Sequence, residues 1–209
     1  MHPRGVIGAR EVFDVGAHRV AVGDVMLGAV QSVMGADKAA VLYSDPPWGE
    51  GNLRYWRTHA GDNARPTWQA FVSAWCVDAA CSLAPGGAVF VEMGERWADG
   101  FADALAAVGV RVTRQWTVQY RSGGRLLPNA LLYAGTRLRD DFDPSALNGA
   151  ALPRACVAEV AVPGGIVLDP CCGKGYSARA AVAAGMRFRG VELNPTRAEV
   201  TVAWLRRHS

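Results

Sequence analysis

Asp45-Pro46-Pro47-Trp48 gathers an acid, two prolines and an indole at the end of an apolar run, Ala39-Ala40-Val41-Leu42-Tyr43-Ser44. An ionised carboxylate accepts hydrogen bonds and donates none. Each proline ring fixes φ, Pro47 withdraws a backbone donor, and the residue before each proline is pushed out of helical space. The chain is therefore held extended with its carbonyls free to point one way, and Trp48 adds a flat face for stacking. The set suits a flat group bearing an exocyclic amine: acceptors for its N–H groups and an aromatic lid for its ring. Taken alone, the four residues fit a chance surface loop equally well.

A second stretch decides between the two. Ile166-Val167-Leu168-Asp169 reads as a buried strand running through Pro170-Cys171-Cys172 into Gly173-Lys174-Gly175, with an alanine-rich helix from Tyr176 to about Ala184. The two glycines let the backbone approach a ligand closely. Arg187 to Glu192 forms the next strand, and its terminal acid, 23 residues beyond Asp169, is placed to accept both hydroxyls of a ribose. Asn194-Pro195 opens the last helix. A phosphate-binding GxxxxGK[ST] loop is excluded by Leu168 and Gly175, and the lack of a full GxGxxG weakens a nicotinamide reading.

The first motif resembles the Asp/Asn/Ser-Pro-Pro-aromatic motif of the amino-group (N6-adenine and N4-cytosine) nucleic-acid methyltransferases. The second is similar to their S-adenosylmethionine loop, Asp-Pro-Phe-x-Gly-x-Gly. It departs from that loop at Cys171, where an aromatic is common, at Cys172 in place of a small residue, and at Lys174 in place of Ser. The resemblance implies that Asp45 and the Pro46 carbonyl grip the target amine, with Pro47 completing the motif and Trp48 stacking on the base. It implies that Asp169, Gly173 and Gly175 surround the methionine end of S-adenosyl-L-methionine and that Glu192 takes its ribose, Pro170, Cys171 and Asn194 completing the set. Gly23-Asp24 matches a Gly-Asp seen before the catalytic strand in relatives, which puts Asp24 near the cofactor adenine; an ordinary helix cap accounts for it equally well. No metal is needed. The catalytic motif lies about 125 residues before the cofactor loop, as in the circularly permuted, beta-class arrangement. The implied fold is α/β, a Rossmann-like seven-stranded, mostly parallel sheet with helices on both faces. The implied reaction is methylation of adenine N6 in DNA, with cytosine N4, an RNA base, or a silent nucleic-acid-binding subunit as alternatives.

The elements that must position these groups follow from the rest of the chain. The 209 residues suit one methyltransferase domain of ordinary size, and half of them are apolar. No apolar run reaches membrane-spanning length. The start, Met1-His2-Pro3-Arg4-Gly5, lacks the apolar core of a signal peptide. The net charge of +3 argues only weakly for a polyanionic partner. Five cysteines without a CxxC or a nearby His disfavour zinc, and with a vicinal pair they fit reduced thiols in the cytoplasm. Short strands are expected at Arg19–Val22 and Ala88–Val91, and helices at Val25–Met34, Thr67–Leu83 and Trp97–Val108. A hairpin is expected from Val110 to Ala134, turning at Arg121–Arg125. Glu92 and Glu95 end a strand that could face the site.

Residues 49–66 are expected to form a long functional loop, carrying Arg54, Arg57 and Arg65 for phosphates and Tyr55 and Trp56 for bases. Arg121 and Arg125 join them as nucleic-acid contacts. Residues 136–150 are too short for a separate target-recognition domain. Recognition would then fall to the loop, to the hairpin turn, or to a partner subunit or second copy.

Overall fold

The computed structural model describes residues 8–122 and 124–208; Gly123, in the expected hairpin turn, lies outside them. The strands are β1 (Ala9–Val15), β2 (His18–Gly23), β3 (Ala39–Ser44), β4 (Leu83–Met93), β5 (Arg114–Ser122), β6 (Arg125–Ala134), β7 (Ile166–Asp169) and β8 (Arg187–Glu192). They form one sheet in the order β1-β2-β8-β7-β3-β4-β6-β5. The five strands from β2 to β4 are parallel, and antiparallel pairs close both edges. The helices are α1 (Ala29–Met34), α2 (Gly49–His59), α3 (Trp68–Ser82), α4 (Glu95–Ala107), α5 (Ala151–Glu159), α6 (Tyr176–Ala183) and α7 (Pro195–His208).

The sheet has eight strands where seven were expected. The addition is β1, which pairs antiparallel with β2 at the outer edge. Its sequence, AREVFDV, is half-exposed and carries three charges, which an edge strand tolerates and which hide its alternation.

The central strands are apolar on both faces because both are covered. Leu42, Ile166 and Leu168 pack toward Val30, Trp75 and Phe101 under α1, α3 and α4. Val41, Tyr43 and Val167 pack toward Leu152, Ala181 and Leu205 under α5, α6 and α7. Thr67 caps α3 as its sequence suggests, its hydroxyl accepting from the Ala70 N–H at 3.2 Å.

Residues 49–59 are helix, not loop. A glycine and an arginine on the inner face masked the period, for the buried positions Gly49, Leu53 and Arg57 recur every four residues. Gly49 is required twice over. Its φ is 71°, and a Cβ there would lie 2.3 Å from the Trp97 ring. Gly49→Ala is expected to cost about 1–3 kcal/mol in chemical denaturation; an unchanged midpoint would contradict the packing described.

At the amino-terminal end of the parallel strands, buried His18 accepts from the Phe188 N–H at 3.1 Å. Burial, and then the Arg189 charge, hold its pKa below the usual histidine value. The folded state therefore resists protonating it, and this contribution to stability is lost as the pH falls below about 6.5.

Candidate active site

Four neighbouring strands carry acids at their carboxyl ends, the edge where ligands bind in open α/β sheets. Asp169 ends β7 and Glu192 ends β8. Asp45 follows β3, and Glu92 is the penultimate residue of β4. The register pairs Ser44 with Val91 and Leu42 with Leu168, so Asp45 and Glu92 leave adjacent strands side by side.

Asp169 is buried and organises the glycine turn. Its Oδ1 accepts from the Ser44 hydroxyl at 2.8 Å and the Cys171 N–H at 3.0 Å, and its Oδ2 accepts from the Ser177 hydroxyl. Glu192 accepts from the Gly173 N–H and the Asn194 N–H, both at 2.8 Å. Both acids thus grip the turn through its backbone N–H groups. Gly175 has φ 82° at the start of α6, and a Cβ there would lie 2.7 Å from the Thr201 hydroxyl. That close approach of turn to α7 is what the glycine supplies.

Asp45 is open to the cleft, while the cleft walls enclose it on its other sides. The Trp48 indole N–H donates to its Oδ1 at 3.0 Å. The Trp48 ring in turn meets Tyr120 of β5 edge-on, with centroids 5.2 Å apart. The Pro47 carbonyl is taken by the Trp68 indole N–H at 3.1 Å, and Pro46 lines the cleft beside Asp45. Enclosure, and then the charge of Glu92, push the Asp45 carboxyl well above the usual range; the Trp48 N–H partly offsets them.

Burial likewise raises Asp169 to about 6 and raises Glu192. A carboxyl raised in the folded state stabilises fully below its unfolded pKa and loses that contribution as the pH rises through the folded one. For Asp169 that window runs from 3.8 up to about 6. The protein should therefore gain stability from this acid row on going from neutral pH to about pH 5, against the loss at His18. In a His18→Asn variant, which keeps an acceptor for Phe188, the melting temperature should rise over that interval. A fall would contradict the charge crowding described.

A cavity opens on the row, lined by Asp24, Asp45, Pro47, Pro170, Cys171 and Glu192 and walled by Leu53, Trp56 and Phe71. The adjoining cleft adds Pro46, Trp48, Tyr120, Arg121, Asp169, Gly173 and Lys174. Most residues singled out in the two motifs thus converge although they lie at opposite ends of the sequence. Asn194 borders the site, its side-chain amide donating to the His59 carbonyl at 2.9 Å and tying α2 to the loop after β8. Asp24 caps a helical turn, accepting from the Met26 N–H at 2.9 Å, and its side chain also lines the cavity.

The expected phosphate contacts divide. Arg54 and Arg65 are exposed and line a separate hollow beside α2; Arg121 and Arg125 are exposed on the hairpin. Tyr55 is exposed, while Trp56 turns inward to the cavity. Arg57 is not a phosphate contact: it is buried and held by Asp24 at 2.7 Å and Asp62 at 2.6 Å. Helical phase turned it inward, away from Arg54.

Arg197 was missed. It lines the cavity and the cleft, and its guanidinium lies 3.9 Å from the Trp56 ring centroid. The signal available was a cation in the first turn of a helix, where the dipole disfavours it. Among the described residues there is no cluster of His, Cys, Asp and Glu able to hold a metal ion, and no helix is long and apolar enough to cross a membrane.

No family model matches the chain, and no curated protein matches it in sequence. Solved structures do. M1.HpyAVI superposes with a TM-score of 0.65 at 17% identity, over 89% of this chain and 97% of that one. The PvuII cytosine-N4-specific DNA methyltransferase gives 0.66 at 11% identity, over 96% and 89%. The fold is that of solved DNA methyltransferases. TTHA0409, a nominal DNA modification methylase from Thermus thermophilus solved with S-adenosyl-L-methionine, gives 0.62 at 18% identity, over 91% and 94%. M1.HpyAVI has likewise been solved as a complex with S-adenosylmethionine.

Proposed function

We propose that the protein is an S-adenosyl-L-methionine-dependent methyltransferase acting on the exocyclic amine of a base in DNA, most simply adenine N6. The observation that carries this reading is the convergence of Asp45-Pro46-Pro47-Trp48 with the Asp169–Gly175 turn and Glu192 on one cleft of this fold. The glycine loop falls late in the chain, after the catalytic motif, as in the beta-class permuted enzymes.

The residues present fit the cofactor. The row of carboxylates along the cleft suits a ligand that carries a sulfonium and an ammonium. Each Glu192 oxygen has a second lone pair for a ribose hydroxyl. Leu53, Trp56 and Phe71 offer apolar walls for an adenine beside Asp24. Bound there, the cofactor supplies an electrophilic methyl to the amine nitrogen. A base in a duplex must first be flipped out of its stack. Asp45 and the Pro46 carbonyl accept the two amine hydrogens and favour a more tetrahedral nitrogen. They also stabilise the positive charge that develops on it. Trp48, braced by Tyr120 and the Asp45 hydrogen bond, holds the ring.

Arg54, Arg65, Arg121 and Arg125 are placed for backbone phosphates in this reading. The span between the hairpin and the glycine loop is short, so site selection within this domain falls to α2 and the hairpin turn, or to a second subunit. The likeness to a cytosine-N4-specific enzyme favours cytosine N4 as the second reading.

The test is transfer of tritiated methyl from S-adenosyl-L-methionine to unmethylated DNA and to RNA, followed by nucleoside mass spectrometry. N6-methyladenine in the DNA digest is expected. N4-methylcytosine, or label in RNA alone, would replace the adenine reading, and no label in either would overturn it.

A further inference from the structure

Glu92 is a buried acid with no cation in ion-pair contact among the described residues. Its Oε2 accepts from the Tyr43 hydroxyl at 3.0 Å and its Oε1 from the Asn129 side-chain amide at 3.3 Å, and all three residues are buried. Removing a carboxylate from water is costly unless it is paired and hydrogen-bonded, and here only neutral groups donate to it. Those donors come from the strands on either side, Tyr43 on β3 and Asn129 on β6, so the sheet itself fixes the carboxyl. The register places it beside Asp45, and both line the same cleft. Phe90, two residues earlier on the same face of β4, is ordinary core.

Resting on the methyltransferase reading, we propose that Glu92 is a positioning residue for the reaction: Glu92 and Asp45 form a carboxyl pair that holds one proton in the free protein and gives it up when a cationic ligand enters the cleft. Two carboxylates this close do not both ionise freely. Tyr43 and Asn129 donate to Glu92 and favour its ionised form, so the shared proton resides on Asp45. Asp169, Cys171, Tyr120, Cys156 and Arg197 act electrostatically on the pair or feel it, and Arg121 and Lys174 line the same cleft. Among these cations Arg197 favours the ionised form of Asp45.

The pair also closes the proton balance. A cationic ligand displaces the proton to solvent and leaves Asp45 ionised, ready to accept from the amine. In the transfer the S–C bond of the sulfonium would break with its electron pair kept on sulfur, the nitrogen pair would form the new N–C bond, and the positive charge would pass to nitrogen. An N–H bond then breaks, the electron pair stays on nitrogen, and the proton passes to the Asp45 oxygen that already accepts that hydrogen. The pair returns to its one-proton state without any group beyond Asp45 and Glu92. The charge of Glu92 makes Asp45 basic enough to take that proton.

The test is ¹³C NMR of carboxyl-labelled protein titrated with acid and base, read alongside the pH profile of single-turnover transfer. In the wild type, Asp45 is expected to titrate well above an ordinary aspartate. Glu92→Gln keeps the shape and should lower that midpoint by about one unit or more, with the acid limb of transfer moving tenfold or more in proton concentration. Tyr43→Phe should shift Asp45 the same way by less, because the proton then moves toward Glu92. An Asp45 midpoint unmoved in both variants would overturn the pair, as would a rate lowered equally at every pH. If the wild type transfers no methyl and binds no S-adenosyl-L-methionine, the methyltransferase reading fails, and the carboxyl titration still decides whether the pair exists.

Discussion

Asp45→Asn is expected to lower methyl transfer by about two to three orders of magnitude, the loss typical of removing one group that stabilises developing charge. Asparagine keeps the volume and can still accept one hydrogen bond, but it carries no charge to oppose the cation forming on the amine and cannot take its proton. Binding of S-adenosyl-L-methionine should survive, because the glycine turn is held by Asp169 and Glu192 and not by Asp45. The free protein should be no less stable than the wild type near neutral pH. Its Asp45 carboxyl is raised well above the usual range by enclosure and by Glu92, so its ionised form opposes folding there. Single-turnover transfer, cofactor titration and a thermal melt check the three parts. Loss of cofactor binding together with transfer would assign Asp45 a different role.

Arg57→Met should give the largest loss of stability, about 3–5 kcal/mol, the range for breaking a buried ion pair by removing one partner. The guanidinium bridges Asp24 and Asp62, with its own side chain only 6% exposed and theirs 10% and 16%. Removing it leaves two carboxylates close together and without their cation. Asp24 also caps the turn that lines the cavity, so cofactor affinity should fall with stability. The triple variant Arg57→Met, Asp24→Asn, Asp62→Asn should recover most of the stability, since a buried pair contributes little beyond an uncharged replacement. Urea denaturation of the two variants decides this, and a single variant within about 1 kcal/mol of the wild type would sink the argument. Arg54 and Arg65 differ in kind. Replacing either should leave stability unchanged and reduce the salt dependence of DNA binding by about one phosphate contact.

The meeting of the two motifs is legible in the chain itself. The short apolar runs ending in Asp45 and Asp169, and the strand-like run ending in Glu192, read as parallel strands, and parallel strands deliver their ends to one edge. The glycine turn and the Pro-Pro pair restrict the backbone locally, so their shapes are legible from neighbouring residues alone. Tertiary structure decided what depends on distant contacts. Arg57 and Arg54 look alike in the chain; the phase of α2 and the position of Asp24 bury one and expose the other. Residues 49–59 became helix because the sheet and α3 offered an apolar wall to Leu53, a gain that no local propensity records. The eighth strand pairs with the edge of β2 and becomes the sheet's own half-exposed edge, a placement set by that distant sheet and not by the alternation of its residues. Glu92 was visible only as an acid near a strand end. Its place beside Asp45 comes from the strand register, and the donors that hold it are Tyr43 and Asn129, 49 and 37 residues away in sequence.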